Sequence, residues 1–473
     1  MNDVPPSPPG ITDDDWNATP AAVRALVLLL LQRLQEVEVR LKQTSHNSSK
    51  PPSSDPPSAP PAPPKVPRGR NAGGQVGHPG ATRPPPPPDQ IDETIDLYPS
   101  HCPDCATSLG TSLPDAAPLV TTYVWEIPVA VPHVTAYVHH TVSCPTCQAR
   151  VWVDQRPSGA PPGAFGPRAT ALVALLHTRY RLSDRETADL LATVWQLPLS
   201  LGSVVSCGER ISQALAPVDQ AILAHVQQQD IGNADETSWR EAGQRVWLWT
   251  LTTPTATIYR IHERRGRAAL LDLLGPAWHG VLGCDRYPTY RCLPDDRRQV
   301  CWAHLTRNLR GLAAGAGAED LWAEQVLLHV DTLWQLWAHL RAGWLDRHQL
   351  HICLQPVQTA IQALLIRGTT HPWRRVQGLC RDVLRQWEAL WTFARVEGVA
   401  PTNNAAEQAL RPAVLWRKGC FGTRSAAGSR AVERLLSVVT TCRQQGRNLY
   451  TFLTTALQAA WANQPAPDIF APA

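Results

Sequence analysis

From Ser45 to Asp89 the chain is dominated by proline, serine and glycine, and the stretch includes the consecutive prolines Pro84 to Pro88. Such a stretch cannot bury a core and predicts an extended, mobile linker. The 473 residues suffice for roughly three ordinary domains, most of them beyond the linker. Before it, Thr19 to Gln43 reads as a helix, with apolar residues at Val23, Val27, Leu30, Leu34, Val37 and Leu41. That four-three alternation is the seam of a short coiled coil, or the face of an ordinary amphipathic helix. The seam reading predicts a homo-oligomer.

Net charge is only +4, so its distribution says more than its sum. Lysine occurs only at Lys42, Lys50, Lys65 and Lys418; the other basic residues are arginines, which suit phosphate recognition. Lys65, Arg68, Arg70 and Arg83 in the linker serve either solubility or loose contact with DNA phosphates. The longest apolar run near the N-terminus, Ala25 to Leu31, falls far below the roughly 20 residues of a membrane span. It lacks the flanks of a signal peptide. The expectation is a cytoplasmic protein with no membrane partner, nucleoid-associated when bound to DNA. Its 12 cysteines should stay reduced, so close pairs suggest metal.

Periodicity divides the chain further. Residues 1–46 carry the N-terminal helix and 47–95 the linker. Residues 96–156 read as short strands around two cysteine pairs, and 157–228 as helices. Within the latter, Arg185 to Val194, a turn at Pro198 and Gly202, and Ser203 to Leu215 form a candidate DNA-binding helix-turn-helix, or merely two packed helices. Residues 229–312 read as α/β: a hairpin of Val246–Thr252 and Thr257–Ile261, a helix Gly266–Leu274, a buried strand Gly280–Cys284, and a strand Val300–His304 leading into a helix. Residues 313–395 look like a helical insertion. Residues 396–455 resume the α/β core, and 456–473 form a tail.

Three acids stand out by position. Asp235 opens the strand-rich region, Asp285 follows the apolar run Val281-Leu-Gly-Cys, and Glu407 lies in the first turn of a helix after Pro401-Thr-Asn-Asn404. Carboxylates at strand ends of an α/β sheet converge on one edge, and a pair of hard divalent cations held there serves phosphodiester chemistry. Each has a structural alternative. Asp235 could sit in a turn, Asp285 could cap the turn at Tyr287-Pro288, and Glu407 could close a capping box with Asn404. Cys102-Pro-Asp-Cys105 and Cys144-Pro-Thr-Cys147 can together complete a tetrahedral Cys₄ zinc site, structural because no position is left for water. Cys301 and His304 read as packing near the active edge rather than as ligands. The tryptophans Trp334, Trp337, Trp387 and Trp391 read as core. Arg411, Arg417, Lys418, Arg424 and Arg430 come after Glu407, close to its helix, and either neutralise DNA phosphates or form a solvated basic face.

Several motifs occur in a fixed order: Asn47-Ser-Ser-Lys-Pro-Pro-Ser-Ser-Asp55, Gly73-Gly-Gln-Val-Gly-His-Pro-Gly80, the two Cys-Pro-x-Cys units, Asp235-Glu-Thr, Asp285-Arg-Tyr-Pro-Thr-Tyr290, Cys301-Trp-Ala-His304 and Thr402-Asn-Asn-Ala-Ala-Glu407. From about residue 20 to about residue 455 the chain resembles the transposases of bacterial insertion-sequence family sixty-six. The resemblance implies a multidomain protein with an α/β RNase H-like core and a helical insertion. It also implies a DDE triad at Asp235, Asp285 and Glu407 using Mg²⁺ or Mn²⁺, and DNA partners at the element ends and the target. Accessory proteins of the same element are possible further partners. The rival readings are a zinc-dependent DNA-binding regulator and a non-transposing nuclease on the same core. A glycosidase would leave the cysteine pairs and basic segment unexplained.

Overall fold

The computed structural model describes residues 8, 10–41, 84–109, 120–153, 156–314 and 318–472. Lys65, Arg68, Arg70 and Arg83 of the linker lie outside them. Contacts divide the chain into a smaller unit, Pro61–Pro132, and a larger one, Met1–Pro60 with His133–Ala473. This division falls inside the expected 96–156 module. In the smaller unit the described chain is largely extended, with a single bridge, His101 to Ser108, closing the first cysteine turn.

The larger unit begins with helices α1 (Asp13–Ala18) and α2 (Ala21–Leu41). Thr12 caps α1 through its side chain, and three aspartates fill the first turn, as the helix dipole favours. On α2 the predicted seam is exposed at Val23, Leu30 and Leu34. Strands β1 (Thr141–Ser143) and β2 (Arg150–Trp152) form an antiparallel hairpin around the second cysteine pair. Among the described residues the first pair has no flanking strands.

Helices α3 (Pro167–Thr178), α4 (Asp184–Trp195), α5 (Leu201–Ala214) and α6 (Ala216–Val226) follow. Pro167 opens α3, and a Ser183–Glu186 capping box starts α4. The turn between α4 and α5 ends at Ser200, so Gly202 belongs to the helix and not to the turn. The solvent side of α5 carries Leu201, Val205, Glu209 and Gln213.

Then comes the sheet: β3 (Ile231–Glu241), β4 (Gln244–Thr252), β5 (Thr257–His262), helix α7 (Arg267–Leu274), β6 (Val281–Cys284) and β7 (Arg298–Val300). Its order is β5-β4-β3-β6-β7, antiparallel from β5 to β3 and parallel from β3 to β7. The nearly continuous apolar run of β4 suits a strand covered on both faces. Trp249 and Leu251 join one core with α3, α5, α6 and α7. Val246 and Leu248 face the other way, into a second core.

Helix α8 (Trp302–Ala313) begins two residues after β7. The expected strand Val300–His304 is therefore shorter: Trp302 is buried as the first residue of a helix, with its indole N–H on the Leu390 carbonyl. Helices α9 (Ala318–Arg341), α10 (Arg347–Gly368), α11 (Arg374–Arg385) and α12 (Thr392–Arg395) make up the insertion. Its core also takes in Val300, Trp302, Leu305 and Leu309, so the insertion is continuous with the sheet's parallel edge. Trp391 is buried in that core, and Trp334, Trp337 and Trp387 pack against it.

The chain closes with α13 (Asn404–Cys420), α14 (Ala426–Gln444) and α15 (Leu449–Trp461). Residues 456–473 are not a loose tail. Helix α15 crosses the expected boundary, and Ala456, Leu457 and Ile469 are core residues. The observed class is mixed α/β. Among the described residues no helix is long and apolar enough to cross a membrane.

Candidate active site

The site is built from strand register. Strand β3 pairs in parallel with β6 as Ile231 with Val281, Gly232 with Leu282 and Asn233 with Gly283. Two residues further along each strand the same register brings Asp235 beside Asp285, both on the face that carries Asn233. Glycine at 283 makes room for this: a Cβ there would overlap the Asn233 side-chain amide. Asp235 is thus a strand residue, opposite Thr250 of β4, and not a turn residue.

Electrostatics confirm the juxtaposition. Burial, then the charges of Glu236 and Asp285 and lastly that of Glu407, hold the Asp235 carboxyl well above its ordinary range. The Glu236 N–H, 2.9 Å from Asp235 Oδ1, opposes this. Burial also raises Asp285, against the pull of the Tyr287 N–H, Arg265 and Arg286. Asp285 Oδ1 accepts from the Tyr287 N–H at 2.8 Å, so it does cap the following turn, with one of its two oxygens.

The neighbouring acid, Glu236, points to the opposite face and is already satisfied. Its Oε1 accepts from Arg265 Nε at 2.7 Å, and its Oε2 from the Tyr290 hydroxyl at 2.5 Å. Arg265 is held in turn over the Tyr287 ring, 3.7 Å from its centroid.

Glu407 arrives on α13, which is tied to the sheet by a residue that sequence reasoning passed over. Asn403 is fully buried; its Nδ2 donates to the Ala234 carbonyl at 2.8 Å, and its Oδ1 accepts from Asn233 Nδ2 at 3.1 Å. Its own N–H meets Cys301 Sγ at 3.2 Å. Asn403, not Asn404, is the residue preceding the helix, and it makes no side-chain cap bond. The capping box expected as an alternative role for Glu407 is therefore absent. The carboxylate instead faces Arg307 Nη2 at 3.2 Å and His304 Nδ1 at 3.5 Å.

Cys301 and His304 sit at the start of α8 and not on a strand. Among the described residues, Cys301, His304 and Glu407 form one group whose ligand atoms all lie within 4.8 Å of each other. Burial, then Arg307 and Arg286, push His304 down to about 4, so its imidazole is neutral near neutrality.

The loop after Asp285 is clamped by the insertion: Arg286 Nη1 donates to Asp382 Oδ2 of α11 at 2.9 Å, and Arg291 pairs with the other oxygen. Beyond Glu407, Arg417 bonds the Thr237 and Ser238 hydroxyls of β3 at 3.1 and 2.7 Å, while Lys418 and Arg424 are exposed.

The cysteine pairs form two equivalent turns. Cys102 N–H donates to the Thr107 carbonyl and Ala106 N–H to the Cys102 carbonyl, with Ala106 at φ 57°. Cys144, Ala149 and Gln148 repeat the pattern, with Gln148 at φ 58°. Hydrogen bonds from Thr107 lower the Cys105 thiol, and the Cys147 N–H lowers that of Cys144. The first turn belongs to the smaller unit and the second to the larger.

The sequence profile described as the Transposase IS66 family matches residues 162–431. That is 270 of 473 residues, more than half of the chain. A family of unknown function (DUF6444) matches residues 4–84. An "Uncharacterized protein y4qI" of Sinorhizobium fredii (strain NBRC 101917 / NGR234) is 25% identical over 250 residues, 48% of this chain and 46% of that protein. The chain thus spans less than half of that relative's length. With a matched segment that runs from α3 into α14 and takes in all three acids, the chain belongs to the Transposase IS66 family.

Proposed function

We propose that this chain is a DNA transposase that cleaves a phosphodiester at the ends of its element and transfers the freed 3′-hydroxyl into target DNA. Asp235, Asp285 and Glu407 are its catalytic acids, on an RNase H-like core made from residues 229–312 and 396–455. The observation that carries the reading is the register of β3 and β6, which sets Asp235 beside Asp285, with α13 bonded to the same strand through Asn403. The sheet order supports the core assignment, with its antiparallel strands on one side and its parallel pair on the other.

A buried carboxylate raised by three neighbouring carboxylates suits a divalent cation, which would relieve that repulsion. Asp235 and Asp285 would hold Mg²⁺ or Mn²⁺ and Glu407 would complete the site. Bound there, such cations activate an attacking oxygen and stabilise the leaving one. The protein's own part is positional. Arg307 fixes the Glu407 carboxylate, beside the neutral His304, and that carboxylate orients the nucleophile. The Arg286–Asp382 clamp holds the Asp285 loop. Glu236, fully engaged with Arg265 and Tyr290, leaves Asp235 as the free acid of the pair. Water makes the first attack and the 3′-hydroxyl the second, with no covalent protein intermediate.

The two cysteine turns, alike in their left-handed fifth residue and lowered thiols, suit one structural zinc ion bound by Cys102, Cys105, Cys144 and Cys147. The exposed seam of α2 supports self-association as a homo-oligomer. The test is cleavage and joining of element-end DNA with magnesium. Asp235→Asn, Asp285→Asn and Glu407→Gln should each abolish cleavage and keep sequence-specific binding. A folded, fully active Glu407→Gln protein would remove Glu407 from the site.

A further inference from the structure

Three to five residues beyond Asp235, roughly 10–17 Å along the same strand, β3 borders a cleft of about 690 Å³ whose other wall is the C-terminal end of α13. Four cations line it: Arg240 and Arg245 from the β3–β4 hairpin, Arg417 and Lys418 from the helix. Among the described residues no ion pair engages any of the four. The guanidinium of Arg245 lies 4.7 Å above the Trp247 ring, which fixes its plane.

Phe421 stands at the mouth of this cleft, 77% exposed. It closes α13 in the left-handed region, at φ 60° and ψ 10°. That conformation is an outlier for a bulky residue, and the helix-ending position is one where glycine is usual. Gly422 follows immediately, at φ 112°, and a Cβ there would overlap the Arg240 carbonyl. The loop is anchored on both sides of that contact. Thr423 N–H donates to the Arg240 carbonyl at 2.8 Å, and Ala242 N–H to the Thr423 carbonyl at 2.8 Å. A phenyl ring is therefore held out in water on a rigid base, in a strained backbone state, and no packing inside the protein accounts for it. Strain of this kind at an exposed side chain marks a site that acts on something else.

We propose that this cleft is a second DNA subsite that takes one unpaired nucleotide of the substrate strand, its base stacked on Phe421 and its flanking phosphates on Arg240, Arg245 and Lys418. The proposal rests on the reading of the chain as a DNA-acting enzyme and adds to it a place for single-stranded DNA. An aromatic face among unpaired cations is the chemistry of single-strand recognition, because every base offers a π-face and every linkage a charge. A base inside an undistorted duplex has both faces covered by its neighbours, so a nucleotide laid on a ring that stands outside the stack is out of its helix. The volume lies within the roughly 300–1,000 Å³ that accepts a ligand of nucleotide size.

The test uses the full chain without divalent cations, and reads anisotropy of a labelled oligothymidylate and of a labelled duplex of equal length. Phe421→Ala should weaken oligothymidylate binding about tenfold, the order expected for one stacked base, and leave duplex binding nearly unchanged. Phe421→Trp should retain the affinity, while Phe421→Leu, apolar but without a π-face, should not. Arg245→Ala should lower the salt dependence by about one phosphate's share. Phe421→Gly serves as the folding control: it suits the left-handed backbone, should melt no lower than the parent, and should still lose the oligonucleotide.

Unchanged oligothymidylate affinity in Phe421→Ala would overturn the subsite. So would rescue by leucine, equal losses on duplex and single strand, or Phe421-dependent binding of polyglutamate in place of DNA. The two readings fail separately. Phe421-dependent binding in a chain that never cleaves element ends upholds the subsite and defeats the nuclease. Cleavage that is indifferent to Phe421, in a chain whose oligothymidylate binding is equally indifferent, defeats the subsite alone.

Discussion

Asp235 lies among three other carboxylates, and that crowding makes its behaviour measurable without any DNA. Its folded-state pKa stands above the unfolded value, so the folded protein holds the proton more tightly. The associated stability is full below the ordinary carboxyl range and is lost as pH rises through the raised value. Asp235→Asn cannot ionise and escapes that loss at neutral pH. It should melt higher than the parent in metal-free buffer; about 1 kcal/mol moves Tm by roughly 2–4 °C in a cooperative unit of about 150–250 residues, and by less in a larger one. Added Mg²⁺ or Mn²⁺ should raise the melting temperature of the parent and not of the variant. A variant that melts lower in chelator would make Asp235 a structural residue. The place of Asp285 at the end of an apolar run was legible, and so was that of Asp235 at the opening of the strand-rich region. The division of labour between Asp235 and Glu236 was not, because it depends on Arg265 and Tyr290, 29 and 54 residues away. Asn403 was invisible for the same reason: its partners on β3 lie 169 and 170 residues away.

At the scale of elements, the bond network of Asn403 is what makes one site of two distant segments. Asn403→Ala leaves buried partners unmet and should cost about 1–3 kcal/mol; cleavage should fall even where the protein still folds. Thermal melting beside cleavage on the same samples checks this, and a stable, fully active variant would show that α13 is placed by packing alone. Asp382→Asn should free Arg286 and Arg291 and so slacken the loop after Asp285. The expected result is a lower kcat with KM little changed, the outcome of a clamp that acts by holding the loop. The hairpin β4–β5, helix α7 and strand β6 were readable from alternation and apolar runs. Strand β3 was only partly so: Asn233, Asp235 and Thr237 give it a polar face that reads as loop until the site beneath it is seen. The helix start at Trp302 was misread because a buried tryptophan next to Val300 and Cys301 prolongs an apolar run that belongs to two elements.

For the whole molecule, the cysteine turns and α2 carry the remaining predictions. Purified protein should hold about one zinc per chain if both turns share a tetrahedral site. Cys144→Ser should lose the metal and expose residues 96–156 to proteolysis, and well-folded protein without zinc would end that assignment. Polar residues at Leu30 and Leu34 should shift the mass in light scattering toward the monomer; an unchanged mass would mean the seam packs within its own chain. The N-terminal helix and the helices between 318 and 395 were legible as blocks because periodicity changes abruptly at their borders, whereas most of the linker lies outside the described residues. The burial of residues beyond 455 was not, because the short α15 owes its place to α3 and α5, far earlier in the chain. The division of the three acids across the helical segment between Asp285 and Glu407 also has a consequence during synthesis. Glu407 leaves the ribosome 407 − 285 = 122 residues after Asp285, which at about 5–20 residues per second is a delay of roughly 6–24 s. On the triad reading, a nascent chain that already presents Asp235 and Asp285 to nearby DNA cannot cut it. On the same reading, any prematurely ended product that stops before Glu407 is born inert.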